Sequence, residues 1–239
     1  MRAELLKIFW RKKYWALLAV NAALCALIGF LGAAGAEIGS VTLRLPNTAF
    51  SALSFFCAIL LPLAIFMLST DLYTQEFESK SVKCLLTRPI SRLSAYLAKS
   101  LAILAYVAIS LGAAFLISAA FQIYSGRDTA SLLNALLSYA LSLVPMAAFV
   151  ATAAFIAVLI PGSTLAMFLS VAAYVACAVS GVAWGEAGAV LYTSYIGWYK
   201  LWIGQGAPLR QVATALSLLL SHITLFGAFG YLLFDRKDV

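Results

Sequence analysis

Charge is what this chain has least of. Asp, Glu, Lys and Arg make up 10% of its 239 residues, against roughly 25% in soluble globular domains. There is one histidine, His222, which excludes a His-Glu-x-x-His zinc site. No glycine precedes a lysine, so no Gly-x-x-x-x-Gly-Lys-Ser/Thr loop is present to cradle a nucleotide. The Gly-x-Ser and Gly-x-Gly-Asp signatures of intramembrane proteases are missing too. The four cysteines, Cys25, Cys57, Cys84 and Cys177, fall at unpaired spacings that indicate neither a disulfide framework nor a metal site. No linker, low-complexity tract or repeat divides the chain, and residues 1–239 read as one domain. An enzyme is disfavoured, and no cofactor or metal is expected on this chain.

What fills the chain is apolar. Hydrophobic residues make up 64% of it, and the mean hydropathy is +0.99. The runs are continuous rather than alternating, which favours membrane-spanning helices over a barrel. Six spans are expected, over residues 14–31, 49–68, 93–123, 132–159, 164–183 and 212–234. The first competes with a signal peptide, since Ala34-Gly35-Ala36 resembles a cleavage site. Its 18 residues exceed the usual ~7–15-residue apolar core of such a peptide, which favours a retained span. Pro62 and Pro145 each remove a helical hydrogen bond inside a span and predict kinks. Residues 93–123 rise ~46 Å as a helix, more than the ~30 Å hydrocarbon core. Their first two turns, up to Lys99, are therefore expected to stand outside the lipid as a stalk.

Between the spans lie three segments of different character. Residues 1–13 form a basic amphipathic helix, with Leu5, Ile8 and Phe9 on one face, suited to lying on the membrane surface. Residues 184–210 are rich in Trp and Tyr but interrupted by glycines, which suits short interfacial or re-entrant helices. Residues 71–92 are the longest polar interruption, with three of the nine acids and four of the sixteen Lys/Arg. Within them, residues 75–86 predict a short amphipathic helix with Phe77, Ser81, Cys84 and Leu85 on one face, and Pro89 predicts a turn. This stretch reads either as a solvated loop or as a docking helix for a soluble partner. With both termini inside, twelve Lys/Arg lie on the inner side and four on the outer. That orientation makes residues 71–92 cytoplasmic and residues 184–210 outward-facing. The net charge of +7 sits beside apolar runs, so lipid headgroups rather than nucleic acid are the expected counter-charge.

Four amide or imidazole side chains, Asn21, Gln122, Asn134 and His222, fall inside the expected spans. His222 is costly at mid-membrane depth and is a translocation or interface candidate. The alternative is a neutral imidazole hydrogen-bonded to a neighbouring span. Asn21 poses the same question in the first span. Gly29, Gly32, Gly35, Gly181 and Gly185 permit close helix approach, with packing favoured over a ligand role.

The run from Glu76 to Leu101, EFESKSVKCLLTRPISRLSAYLAKSL, resembles the signature loop of ATP-binding-cassette (ABC) transporter permeases of the type-two exporter class. Glu76 and Glu78 match the acidic positions, Ser81 stands for a threonine, and Leu85-Leu86 match the paired leucines. Arg88-Pro89-Ile90-Ser91-Arg92 and Lys99 match the motif's close. The departure is Lys80, where glycine is usual. The resemblance implies an all-α polytopic permease in the plasma membrane, with residues 71–92 as a cytoplasmic coupling loop. It implies two such permeases, identical or homologous, with two ABC ATPase subunits that carry the ATP and Mg. The residues expected to dock the ATPase are Phe77, Cys84 and Leu85 by packing. Glu76, Lys80, Arg88 and Arg92 are expected to provide polar contacts or a link to the surface helix. The implied activity is export of a hydrophobic or amphipathic substrate, such as a peptide antibiotic, drug or lipid. The alternatives are a membrane anchor, immunity or sensor subunit that scaffolds an ATPase, and an intramembrane enzyme using His222.

Overall fold

The computed structural model describes residues 2–34, 37–38, 41–42, 48–79, 91–124, 131–183, 188, 190–202 and 208–237. A short surface helix, Arg2–Trp10, breaks at Arg11 and leads into the first of six membrane-spanning helices. The spans are Lys12–Leu31, Ala49–Glu78, Arg92–Tyr124, Ser131–Leu159, Ser163–Gly181 and Leu209–Arg236. Two-residue strands, Glu37–Ile38 and Val41–Thr42, pair antiparallel after the first span.

The second and fourth spans form the centre, and the fifth and sixth are the most exposed. Leu53, Phe56, Leu61, Ile65 and Leu68 of the second span are fully buried, as are Met146, Phe149, Ala153, Ala154 and Ala157 of the fourth. Lipid tails are as apolar as these side chains, so close backbone packing rather than the hydrophobic effect holds such helices together. The alanines of the fourth span permit that approach. Gly29 does the same between the first and third spans, where a Cβ would stand 2.6 Å from the Phe121 ring.

Both intramembrane prolines are absorbed by a donor from elsewhere in the chain. Pro62 cannot bond to the carbonyl four residues back, that of Ala58, and a wide π-turn, Phe56–Leu60, precedes it. The Tyr174 hydroxyl of the fifth span donates to the Ala58 carbonyl instead. Pro145 likewise frees the Leu141 carbonyl, where the fourth span is interrupted between Leu141 and Leu143. The Trp198 indole donates to it at 2.9 Å. A freed backbone group has no water to turn to within the membrane, so such replacement donors are required.

Trp198 belongs to the aromatic segment, which forms two 3₁₀ turns, Tyr192–Tyr195 and Trp198–Trp202. The segment packs inward: the Tyr192 ring lies 4.8 Å from Phe149, and the Tyr199 hydroxyl is 2.5 Å from that of Ser54. The stretch caps one end of the bundle by plugging backbone carbonyls and filling gaps between spans.

The second span departs from the hydropathy pattern. Its helix does not end near Leu68 but runs on to Glu78 through a second π-turn, Thr70–Thr74. Gln75–Glu78 therefore continues the span and does not begin a separate helix; the remainder of the expected 75–86 helix lies outside the described residues. Asp71 and Glu76 are buried within this extension. The start of the third span packs onto this extension through Lys99, which is 1% exposed. The buried extension and the buried Lys99 share one cause: Glu76 and Lys99 satisfy each other, and Asp71 is met by Lys13 and Arg11.

Candidate functional site: a charged joint at one end of the bundle

Residues 71–78 touch every other part of the bundle. Asp71 pairs with Lys13 and Tyr14 of the first span, and at 3.3 Å with Arg11 in the break before it. The Tyr73 hydroxyl lies 2.8 Å from that of Ser100 on the third span. Thr74 Oγ1 donates to the Ala157 carbonyl of the fourth span at 2.7 Å. Glu78 Oε1 accepts the Ser163 amide that opens the fifth span at 3.1 Å. Phe77 stacks edge-on against Phe234 of the sixth span, ring centres 5.5 Å apart. The tight turn that brings Ser163 beside Glu78 uses Gly162 at φ +100°, a conformation open to glycine.

At the centre of this joint is a closed ring of two acids and two bases. Lys7 Nζ donates to Glu4 Oε1 and to Glu76 Oε1, both at 3.0 Å. Lys99 Nζ pairs with Glu76 Oε2, stands 3.7 Å from Glu4 Oε2, and donates to the Leu72 carbonyl at 2.9 Å. Each acid thus meets each base, and the four charges sum to zero. Lys99, Glu4 and Glu76 have side chains only 2%, 7% and 10% exposed. Taking such ions out of water costs several kcal/mol each, which mutual attraction offsets only when every charge keeps its partner. Lys7 is 44% exposed. Burial acts to lower its pKa, but hydrogen bonds to Glu4 and Glu76 and their negative charge outweigh it and hold the ammonium above its ordinary 10.5.

An aromatic cluster flanks the ring. Tyr73 packs on Tyr96 and Phe234 at 5.5 and 6.3 Å. Lys237 caps this cluster, with Nζ 4.6 Å over the Phe77 ring and bonded to the Val158 carbonyl. Burial pushes the Lys237 ammonium below its ordinary pKa.

The candidates named from sequence fall into three groups. Glu76, Phe77 and Arg92 lie at the joint: Glu76 in the ring, Phe77 half-buried on the sixth span, and Arg92 donating to the Asp235 carbonyl. Lys80, Cys84, Leu85 and Arg88 lie outside the described residues. His222 and Asn21 are placed elsewhere. His222 is half-buried between Tyr192 and Phe226, ring centres 5.3 and 5.4 Å away. Asn21 is 2% exposed, and its amide makes no hydrogen bond among the described residues. Sequence reasoning missed Glu4, Asp71 and Tyr14. The signal was available: Glu4 sits one turn before Ile8 on the helix's inward face, in a chain with nine acids.

Six apolar helices locked at one end by a buried charged joint define a polytopic helical membrane protein. The family model described as "ABC-2 family transporter protein" matches residues 1–178, from the surface helix into the fifth span, and the chain belongs to that family. It is an ABC transporter permease, a transmembrane component of a kind that associates with an ABC ATPase. No curated protein matches the sequence.

Proposed function

We propose that this permease is the membrane half of an ATP-driven exporter that moves a hydrophobic or amphipathic substrate by alternating access. ATP and Mg are held by a separate ATPase subunit, and two permeases act with two ATPases. Both termini and residues 71–92 face the cytoplasm, and the aromatic segment faces outward. The reading is supported by one observation above others: residues 71–78 contact all five other spans and lead directly into the segment that carries the family-like Arg88–Arg92 motif. A displacement applied by the ATPase to residues 79–92 would enter the bundle through that hub. The ionic ring would carry it to the surface helix and the third span together. Coupling of this kind requires that the joint have different contacts in two states.

The test is Phe77→Asp in the permease co-expressed with its ATPase. The variant inserts into the membrane normally, while substrate-stimulated ATP hydrolysis in vesicles falls by more than about tenfold. Wild-type stimulation in Phe77→Asp overturns the coupling role. Stimulated hydrolysis without movement of any substrate by the wild type would instead mark a scaffold or sensor subunit. In a Cys84→Ser background, maleimide labelling of Lys237→Cys from the inner side, and of Lys200→Cys from the outer, checks the orientation.

A further inference from the structure

From Arg210 to Thr224 the sixth span carries a polar stripe where lipid contact favours apolar side chains, while Leu225, Phe229 and Leu232 beyond it are exposed and apolar. Its inward face buries Ala215, Leu219, Gly230 and Phe234. The face turned away from the bundle carries Arg210, Thr214, Ser217, Ser221 and Thr224, all exposed. Steps of four, three, four and three keep these five in one stripe within an arc of about 80°. The stripe rises ~21 Å, most of the ~30 Å hydrocarbon thickness. Each hydroxyl is bonded to its own helix: Thr214 to the Arg210 carbonyl at 2.9 Å, Ser217 to Thr214 at 2.9 Å, and Ser221 to Leu218 at 2.8 Å. Thr224 reaches both Leu220 and Ser221 at 3.0 Å. Self-bonding lets hydroxyls tolerate lipid, but it does not account for what stands at the two ends.

At one end the stripe opens into a vestibule of about 820 Å³, lined by Ser194, Lys200, Arg210, Gln211 and Thr214 among others. It has two cations and, among the described residues, no acid in its wall. At the other end lies a cleft of about 530 Å³ between the third, fourth and sixth spans. Its wall is almost wholly apolar, with Leu97, Leu101, Leu104, Val150 and Ile223 prominent. Thr214 lines the vestibule and Thr224 lines the cleft, so the stripe runs from one to the other.

We propose that this stripe is the headgroup track of the transported molecule, and that this molecule is an anionic amphiphile. The inference deepens the export reading and rests on it. The hydrocarbon chain occupies the cleft, and the phosphate or carboxylate passes along the hydroxyls to Arg210 and Lys200. A Ser or Thr proton can turn from its own carbonyl to an anion oxygen at small cost, because that carbonyl is already engaged in the helix. Hydroxyls serve either sign of ligand. The fixed cations Lys200 and Arg210 of the vestibule select the negative one.

The test uses the full permease, without ATPase or nucleotide, in phosphatidylcholine nanodiscs. Each sample contains a trace of phosphatidic acid or of phosphatidylcholine, both bearing the same photoreactive acyl chain. Wild type is expected to be labelled by phosphatidic acid about tenfold more than by the zwitterion, a preference of about 1.4 kcal/mol. The labels should map to residues 93–104 and to the sixth span. Lys200→Gln with Arg210→Gln brings the two lipids to parity. Ser217→Ala, Ser221→Ala and Thr224→Val together lower labelling of the sixth span several-fold, with an unchanged unfolding midpoint. Equal labelling of wild type by both lipids, an unchanged preference in Lys200→Gln with Arg210→Gln, or unchanged labelling of the sixth span in the hydroxyl variant overturns the track. So does a Ser217→Cys variant that forms a disulfide with its own counterpart in a second copy, since the stripe would then be a subunit contact. The binding readout needs no ATP, so its failure falls on the track alone; loss of coupling in the vesicle experiment falls on the export reading.

Discussion

Lys99→Met is the sharpest perturbation of the charged ring. The lysine side chain is 2% exposed, hydrogen-bonds Glu76 and the Leu72 carbonyl, and stands 3.7 Å from Glu4. Methionine fills much the same space without the charge. Two buried carboxylates then share Lys7 alone, which is 44% exposed and screened by water. Leaving a buried charge without its partner costs ~3–5 kcal/mol. Because Lys7 stays in contact with both acids, the lower end of that range, about 3 kcal/mol, is expected. Glu76→Gln in the same chain removes the one charge left uncompensated. The double variant keeps the neutral Glu4–Lys7 pair and should recover about 2 kcal/mol relative to the sum of the single changes. The assay is a double-mutant cycle on the purified permease, unfolded by denaturant in detergent micelles. Additivity within about 0.5 kcal/mol, or a Lys99→Met stability equal to wild type, refutes the closed ring.

The other expectations follow from the same geometry. Tyr174→Phe leaves the Ala58 carbonyl without a donor and costs ~1–3 kcal/mol; in a Pro62→Ala background the restored helical N–H takes that carbonyl, and the penalty largely disappears. Trp198→Phe behaves the same way toward Leu141, with Pro145→Ala as its rescue; thermal unfolding of the four-membered set in each case reads the effect, and equal penalties in both backgrounds would show the prolines to be irrelevant. The raised Lys7 pKa has a definite sign. The folded state holds the proton more tightly, so the docking of the surface helix is complete below pH 10.5 and is lost as pH rises through the higher folded value. Trp10 fluorescence, compared between wild type and Lys7→Met over the alkaline range, should show this transition in the wild type only.

The aromatic segment illustrates how far composition reaches. Its Trp and Tyr content pointed to short interfacial elements, and two 3₁₀ turns are present. That its Trp198 indole, and the Tyr174 hydroxyl of the fifth span, each occupy a carbonyl left by a proline was not legible. Periodicity describes a residue's own helix, and these bonds join different ones. His222 shows the converse. Its depth marked it as unusual, and it sits among rings of Tyr192 and Phe226 rather than in the charged joint.

The sequence by itself determined the medium and the number of crossings. A chain with so few charges and six long apolar runs has to satisfy its backbone inside lipid, and helices do this without reference to anything distant. It also determined the kinship, through contiguous residues between Glu76 and Lys99. The tertiary structure alone decided that the polar stretch begins as buried helix instead of exposed loop. An isolated Asp71 or Glu76 belongs in water. Either can be buried only where cations from other elements meet it, as Lys7 does across 69 positions and Lys13 and Lys99 do from neighbouring spans. Hydropathy sums local cost and sees no partners, so it ends the helix at the point where the packed bundle continues it.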